Sequence, residues 1–147
     1  MLFASLLTAL LGWGLTGCGD DDGGGDGGGG GGGETVDVPA DEFEDMTGQA
    51  ELEVAVTDNL FDPVYAEVSP GTKVVWTNDG RNDHNVIPVE DDAFEGVDRA
   101  DFGPGQVHTA TFDDAGDYAY YCSIHGTKNL NGQAGVIRVV TADGEGA

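Results

Sequence analysis

Basic residues, cysteine and methionine are all scarce in this 147-residue chain. Five Lys and Arg stand against 28 Asp and Glu, for a formal net charge of −23. A surface of that sign repels phosphate backbones, which excludes nucleic acid as a partner, and it steers cationic protein surfaces toward the chain over long range. The two cysteines, Cys18 and Cys122, are too few for a disulfide scaffold. The two methionines, Met1 and Met46, both precede the regularly patterned part of the chain, so its core offers no thioether. No convincing amphipathic helix is present, and no acid–base pair of the kind that marks an enzyme, so the chain reads as a non-enzyme.

The first 17 residues carry no charged side chain. Met1 to Leu15 is apolar enough for the core of an export signal and short of the ~20 residues that a membrane span needs. Leu15-Thr16-Gly17-Cys18 follows, and it resembles the lipobox of prokaryotic lipoproteins, in which the signal is cut before a cysteine whose sulfur is then diacylated. The resemblance implies a signal peptide over residues 1–17, lipidation of Cys18, and a domain anchored at the extracytoplasmic face of a prokaryotic membrane. The missing Lys or Arg before the apolar run departs from that pattern. An uncleaved anchor helix is the alternative, and it too places the domain outside the cytoplasm.

Residues 19–33 consist only of Gly and Asp. Nothing in such a run can be buried, so nothing offsets the entropy of ordering it. As a coil it reaches roughly 20 Å, and further under like-charge repulsion. Glu34 to Ala50 adds six acids among few apolar residues, and we read residues 18–50 as one acidic, disordered tether. No spacing within it matches a calcium loop. The tether holds 10 of the acids and no base, leaving 18 acids and all five bases beyond it.

From Ala50 the pattern changes to β-branched residues at period two, bounded by Gly, Pro, Asn and Asp. Leu52-Val54-Val56 comes first, then Val64 to Val68, Lys73 to Thr77 and His84 to Ile87. Gln106 to Phe112, Asp117 to Tyr121 and Ala134 to Thr141 complete the set. Seven to eight short strands with turn signals between them predict an all-β, Greek-key β-sandwich over residues 51–141, with 142–147 as a tail. A domain of that size folds without disulfides. Glu90 to Gly105 is acidic and unpatterned, and reads as a surface excursion with at most a helical turn.

Near the end of that domain Cys122 and His125 stand in Cys-x-x-His spacing, before a Gly-rich loop that leads to Gln133. With Cys18 assigned to the lipobox, Cys122 is an odd thiol in an oxidising compartment, and that calls for an explanation. Metal ligation supplies one, because it holds the sulfur as a protected thiolate; a buried, inert cysteine is the alternative. Adding His84 from upstream gives two imidazoles, one thiolate and a weak fourth donor. That combination marks blue-copper electron-transfer sites, whose long fourth bond comes from Met, Gln or a backbone oxygen. Structural zinc patterns are matched poorly, since no second Cys accompanies the first.

Asn59-Leu60-Phe61-Asp62-Pro63, Pro70-Gly71-Thr72, Val75-Trp76-Thr77-Asn78, His84-Asn85-Val86 and Tyr118-x-Tyr-x-Cys122-x-x-His125 together resemble the plastocyanin-type cupredoxins. The resemblance covers residues 51–141. It implies a cupredoxin-like sandwich around one copper ion, with His84 and His125 as imidazole ligands and Cys122 as the thiolate. The backbone N–H of Asn85 is a candidate donor to the Cys122 sulfur. Where the family usually has an axial Met, Gln133-Ala134-Gly135-Val136-Ile137 fits the frame, so Gln133 stands in its place. Leu130 is the alternative under a tighter loop register, although it offers no donor; a water-facing Gln is the other. An amide oxygen in that position is similar to the plant stellacyanins. Being harder than a thioether, it favours Cu(II) and a lower reduction potential. Acidic surface, lipobox and copper motif also occur together in the halocyanin group of lipid-anchored copper proteins, which implies a salt-rich habitat, with ordinary solubility as the plainer explanation of the charge.

Two functional readings follow. One is a monomeric, membrane-tethered one-electron carrier serving redox partner proteins with cationic docking surfaces. In it His125 presents its ring edge as the electron port, within an apolar rim of Gly126, Leu130 and Pro88. The other is a protein that stores or delivers copper without relaying electrons. Tyr120 and Tyr121 read as core packing, and His108 as an ordinary strand residue.

Overall fold

The computed structural model describes residues 37–142. The signal peptide read over 1–17, the lipidation site Cys18 and the Gly/Asp run lie outside the described residues, as does most of the C-terminal tail. Among the described residues nine strands form two sheets: β1 Glu44–Asp45, β2 Glu51–Val56, β3 Phe61–Asp62, β4 Tyr65–Val68, β5 Thr72–Asn78, β6 Ile87–Pro88, β7 Val107–Phe112, β8 Gly116–Gly126 and β9 Gly132–Val139. One sheet has the order β1-β4-β9-β8-β6 and the other β3-β2-β5-β7. No α-helix occurs among the described residues; short 3-10 turns lie at Ala40–Glu42 and Arg99–Asp101. The all-β sandwich expected from the alternation is what forms.

Period-two burial sets the layers. Leu52, Val54 and Val56 of β2 and Val74 and Trp76 of β5 point inward, and these two strands pair in parallel. From the facing sheet, Tyr120 of β8 meets Trp76 edge to face at 5.4 Å and Phe61 at 4.9 Å between ring centroids. Such pairs add about 0.5–1.5 kcal/mol beyond the burial of their area. Tyr120 is therefore core, as expected, while Tyr121 alternates outward and is half-buried. His108 lies in β7, stacks on Trp76 and places its Nε2 2.8 Å from the Glu95 carbonyl, as befits a strand residue.

Two boundaries differ from the sequence reading. The tether read to residue 50 ends earlier, because residues 40–50 are ordered against the sandwich. Phe43 packs on Tyr65, with the Arg138 guanidinium 4.0 Å above its ring. Glu44 and Asp45 then pair in parallel with Ala66 and Glu67, and Met46 donates to the Glu67 carbonyl at 2.8 Å and packs on the core. Two apolar anchors and one sheet edge in need of a partner suffice to order a segment whose composition is that of a linker. The excursion 90–105 likewise contributes to the core: Phe102 is fully buried, and Phe94 stacks on Trp76 at 5.8 Å.

Candidate metal centre

The site lies where β8 leaves its regular pairing. Cys122 takes the inward position two residues beyond Tyr120 and is fully buried, after which the register with β9 shifts between Tyr121 and Gly126. That irregularity lets His125, three residues on, turn back toward the sulfur. His84 arrives from the segment between β5 and β6, and its backbone N–H donates to the Phe102 carbonyl at 3.1 Å. The loop before it is held by Asn78, a buried residue at the end of β5. Its amide nitrogen donates to the carbonyls of Asn82 at 3.0 Å and Phe102 at 2.9 Å, and its oxygen accepts from Gly80 N–H at 3.0 Å.

Among the described residues, one cluster of metal-binding groups stands out: the ligand atoms of His84, Cys122 and His125 all lie within 4.8 Å of one another. The Cys122 sulfur is 3.6 Å from His84 Nδ1 and 3.8 Å from His125 Nδ1. A first-row ion bonded to sulfur at ~2.3 Å and to nitrogen at ~2.0–2.1 Å, with an angle of about 110–120° between them, holds those two atoms ~3.5–3.8 Å apart. The three donors are thus spaced for one ion. His84 is ready to ligate: burial, reinforced by the neighbouring His125, pushes its imidazole below its ordinary pKa and favours the neutral ring.

Gln133 is also at the site. It is buried, and its Nε2 donates to the carbonyls of Thr57 at 2.8 Å and Leu60 at 3.2 Å. With the nitrogen committed, Oε1 faces the other way and has no hydrogen-bond partner. The carboxamide lies close enough to His84 to favour the charged ring, yet His84 Nε2 also makes no hydrogen bond of ordinary geometry. The tighter loop register is not adopted. Gly126 pairs with Gly132, closing the intervening loop, and Leu130 sits within it with a left-handed φ of 56°.

The Asn85 side chain pairs with Ser123: its amide nitrogen donates to Ser123 Oγ at 2.8 Å, and its oxygen accepts from Ser123 N–H at 2.8 Å. The residues that follow two ligands are thereby clasped together. The expected rim of Gly126, Leu130 and Pro88 is half-buried, whereas Ile124, beside His125, and Leu60, whose carbonyl holds Gln133, are exposed large apolar residues. Sequence reasoning gave Asn78 no role, although a polar residue at an inward position of an alternating strand was an available signal. Asp58 carried no signal, because its partner Arg81 lies 23 residues away.

The family model for "Copper binding proteins, plastocyanin/azurin family" matches residues 48–137. The chain is 36% identical over 73 residues to a chloroplastic plastocyanin of Tetradesmus obliquus, a match that covers 45% of this chain and 50%, only half, of that one. It is 34% identical over 85 residues to plastocyanin of Vicia faba, covering 52% of this chain and 86% of that one. Among solved structures it resembles a purple cupredoxin from Nitrosopumilus maritimus, at 22% identity and a TM-score of 0.49, over 60% of this chain and 98% of the other. With the family match spanning most of the sandwich and three spaced donors at its end, the chain belongs to the plastocyanin/azurin family of copper binding proteins, and His84, Cys122 and His125 form its copper site.

Proposed function

We propose that this protein is a one-electron carrier of the blue copper type, held at the extracytoplasmic face of a prokaryotic membrane by lipid on Cys18. One observation carries the reading: His84 and Cys122 are wholly buried, while His125 is half-buried beside the exposed Ile124. Bound copper supplies a one-electron couple, Cu(II)/Cu(I). The chain supplies the rest. Cys122 is fixed in β8, His84 by its backbone bond to Phe102, and the two together by the Asn85–Ser123 clasp, so their donor atoms need move little between oxidation states. His125 offers a short route to the surface, and Ile124 forms an apolar contact face around it. The acidic surface draws cationic redox partners to that face.

Gln133 is the axial donor in this reading, because its buried amide oxygen is otherwise without a partner. As an oxygen donor it holds the reduction potential below that of a Met-ligated relative. The lipobox, the acid excess and the copper motif together fit a halocyanin-like, monomeric form.

Copper-loaded protein is expected to show the intense visible thiolate-to-copper band and to keep its metal against a chelator through repeated redox cycles. Copper bound without that band, or ceded readily to the chelator, would establish storage or delivery instead. The anchor is tested by feeding labelled fatty acid to a prokaryotic host. Label should enter the native chain and not the Cys18→Ser variant; a native chain without label would overturn the lipid anchor.

A further inference from the structure

We infer that Asp58 is a positioning residue for the copper site, and that the turn carrying it, Thr57–Leu60, sets the His84 loop and the Gln133 carboxamide together. The inference rests on the reading of Gln133 as axial donor. The turn is closed by Thr57 N–H donating to the Leu60 carbonyl at 2.9 Å. The carbonyls at its two ends, Thr57 and Leu60, are the acceptors for both protons of Gln133 Nε2, at 2.8 and 3.2 Å. A primary amide with its nitrogen so engaged has one orientation for its oxygen. The turn therefore decides where Oε1 points.

The same turn grips the other side of the site through one carboxylate. Asp58 Oδ1 accepts from Arg81 N–H at 2.7 Å and from Asn82 Nδ2 at 3.2 Å, and Oδ2 accepts from Arg81 Nε at 3.0 Å and Nη2 at 2.9 Å. Val56, just before the turn, accepts from Asp79 and Gly80 N–H at 2.9 and 3.0 Å. Gly80 is wedged between the two: a Cβ built on it would lie 2.9 Å from Asp58 Oδ1 and 3.0 Å from His84 Nε2. Carboxylate and imidazole thus flank one glycine that has no room for a side chain. Arg81 is exposed, and an exposed ion pair contributes little to stability. What the four hydrogen bonds to Asp58 fix is the placement of the turn against the His84 loop, and through the turn the aim of the amide.

A double-mutant cycle on the full-length protein tests this. Asp58→Ala should change the copper hyperfine splitting and the reduction potential, and weaken copper binding roughly tenfold. In the Gln133→Leu background, where no carboxamide remains to be aimed, those changes should be clearly smaller. In the copper-free protein, Asp58→Ala should speed hydrogen exchange of the Gln133 side-chain amide by about an order of magnitude as its acceptors loosen. A lower melting temperature with splitting, potential and exchange unchanged would overturn the inference, leaving Asp58 a turn stabiliser. So would equal changes in both backgrounds, which would mean action through His84 alone. Failure of the axial reading is distinguishable: Gln133→Leu by itself would then leave the native spectrum, while amide exchange still reports whether Asp58 controls the carboxamide. Should Asp58→Ala not fold, Arg81→Ala removes two of the four hydrogen bonds to Asp58 and should act in the same sense; no change there would count against the inference.

Discussion

Between the sheets, Phe61, Trp76, Phe112 and Tyr120 meet mostly edge to face and ask little of one another beyond shape. At the copper end, Asn78, His84, Asn85 and Gln133 are buried too, but Asn78 Nδ2 and Oδ1, Asn85 Oδ1 and Gln133 Nε2 are each tied to particular backbone groups. The atoms left without a hydrogen bond at that end are His84 Nε2 and Gln133 Oε1. The middle decides whether the chain folds. The end decides what the fold can hold, and the two should be separable by substitution.

The largest separation is expected at the thiolate. Cys122→Ala should abolish the visible band and the reversible one-electron couple entirely, while the copper-free fold changes by only about 1 kcal/mol in urea denaturation. Trp76→Ala should do the reverse. It should cost about 3–5 kcal/mol of stability, yet leave the band position of the folded, copper-loaded fraction unchanged. A Trp76→Ala variant with a shifted band would mean that the middle tunes the site after all. A smaller effect is expected where the two regions share nothing: Met46→Ala, at the β1 edge, should cost about 1–2 kcal/mol without touching the spectrum.

How much of this was legible in the sequence follows the same division. Alternating apolar residues in β2 and β5 fix which face each strand buries, and the Cys122-x-x-His125 spacing pairs two ligands, because both signals are local; His84, 38 residues before Cys122, joins them through the resemblance to the cupredoxin motif. The ordered segment from Ala40 was not legible, since its acids resemble the linker before it and its anchors Phe43 and Met46 find their partners only across the sheet. Phe94 and Phe102 were hidden for the same reason inside an unpatterned stretch. The exposed Ile124 and the Asn85–Ser123 clasp depend on the register shift in β8, and strand periodicity is blind to such shifts.

The smallest predicted effect is on acid sensitivity, and it separates two groups of the copper end by pH. His84 has its pKa depressed by burial, so the unfolded chain takes up the proton first as pH falls below 6.5. Copper-free protein should lose stability through and below that pH, and copper-loaded protein should resist, because the metal competes with the proton. Asp58, held below the carboxylate range chiefly by Arg81 N–H, adds its own loss only as pH falls through and below 3.8. Denaturation midpoints of the two forms across pH 5–8 check the difference. Equal pH dependence in both would remove His84 as its source.

If a thiolate, two imidazoles and an amide oxygen share one redox-active ion, spectroelectrochemical titration of the native protein beside Gln133→Met will show it. A visible band that bleaches with one electron is expected in both, with a higher midpoint potential in the Gln133→Met variant. A native protein without that band, or two proteins with the same potential, would contradict it.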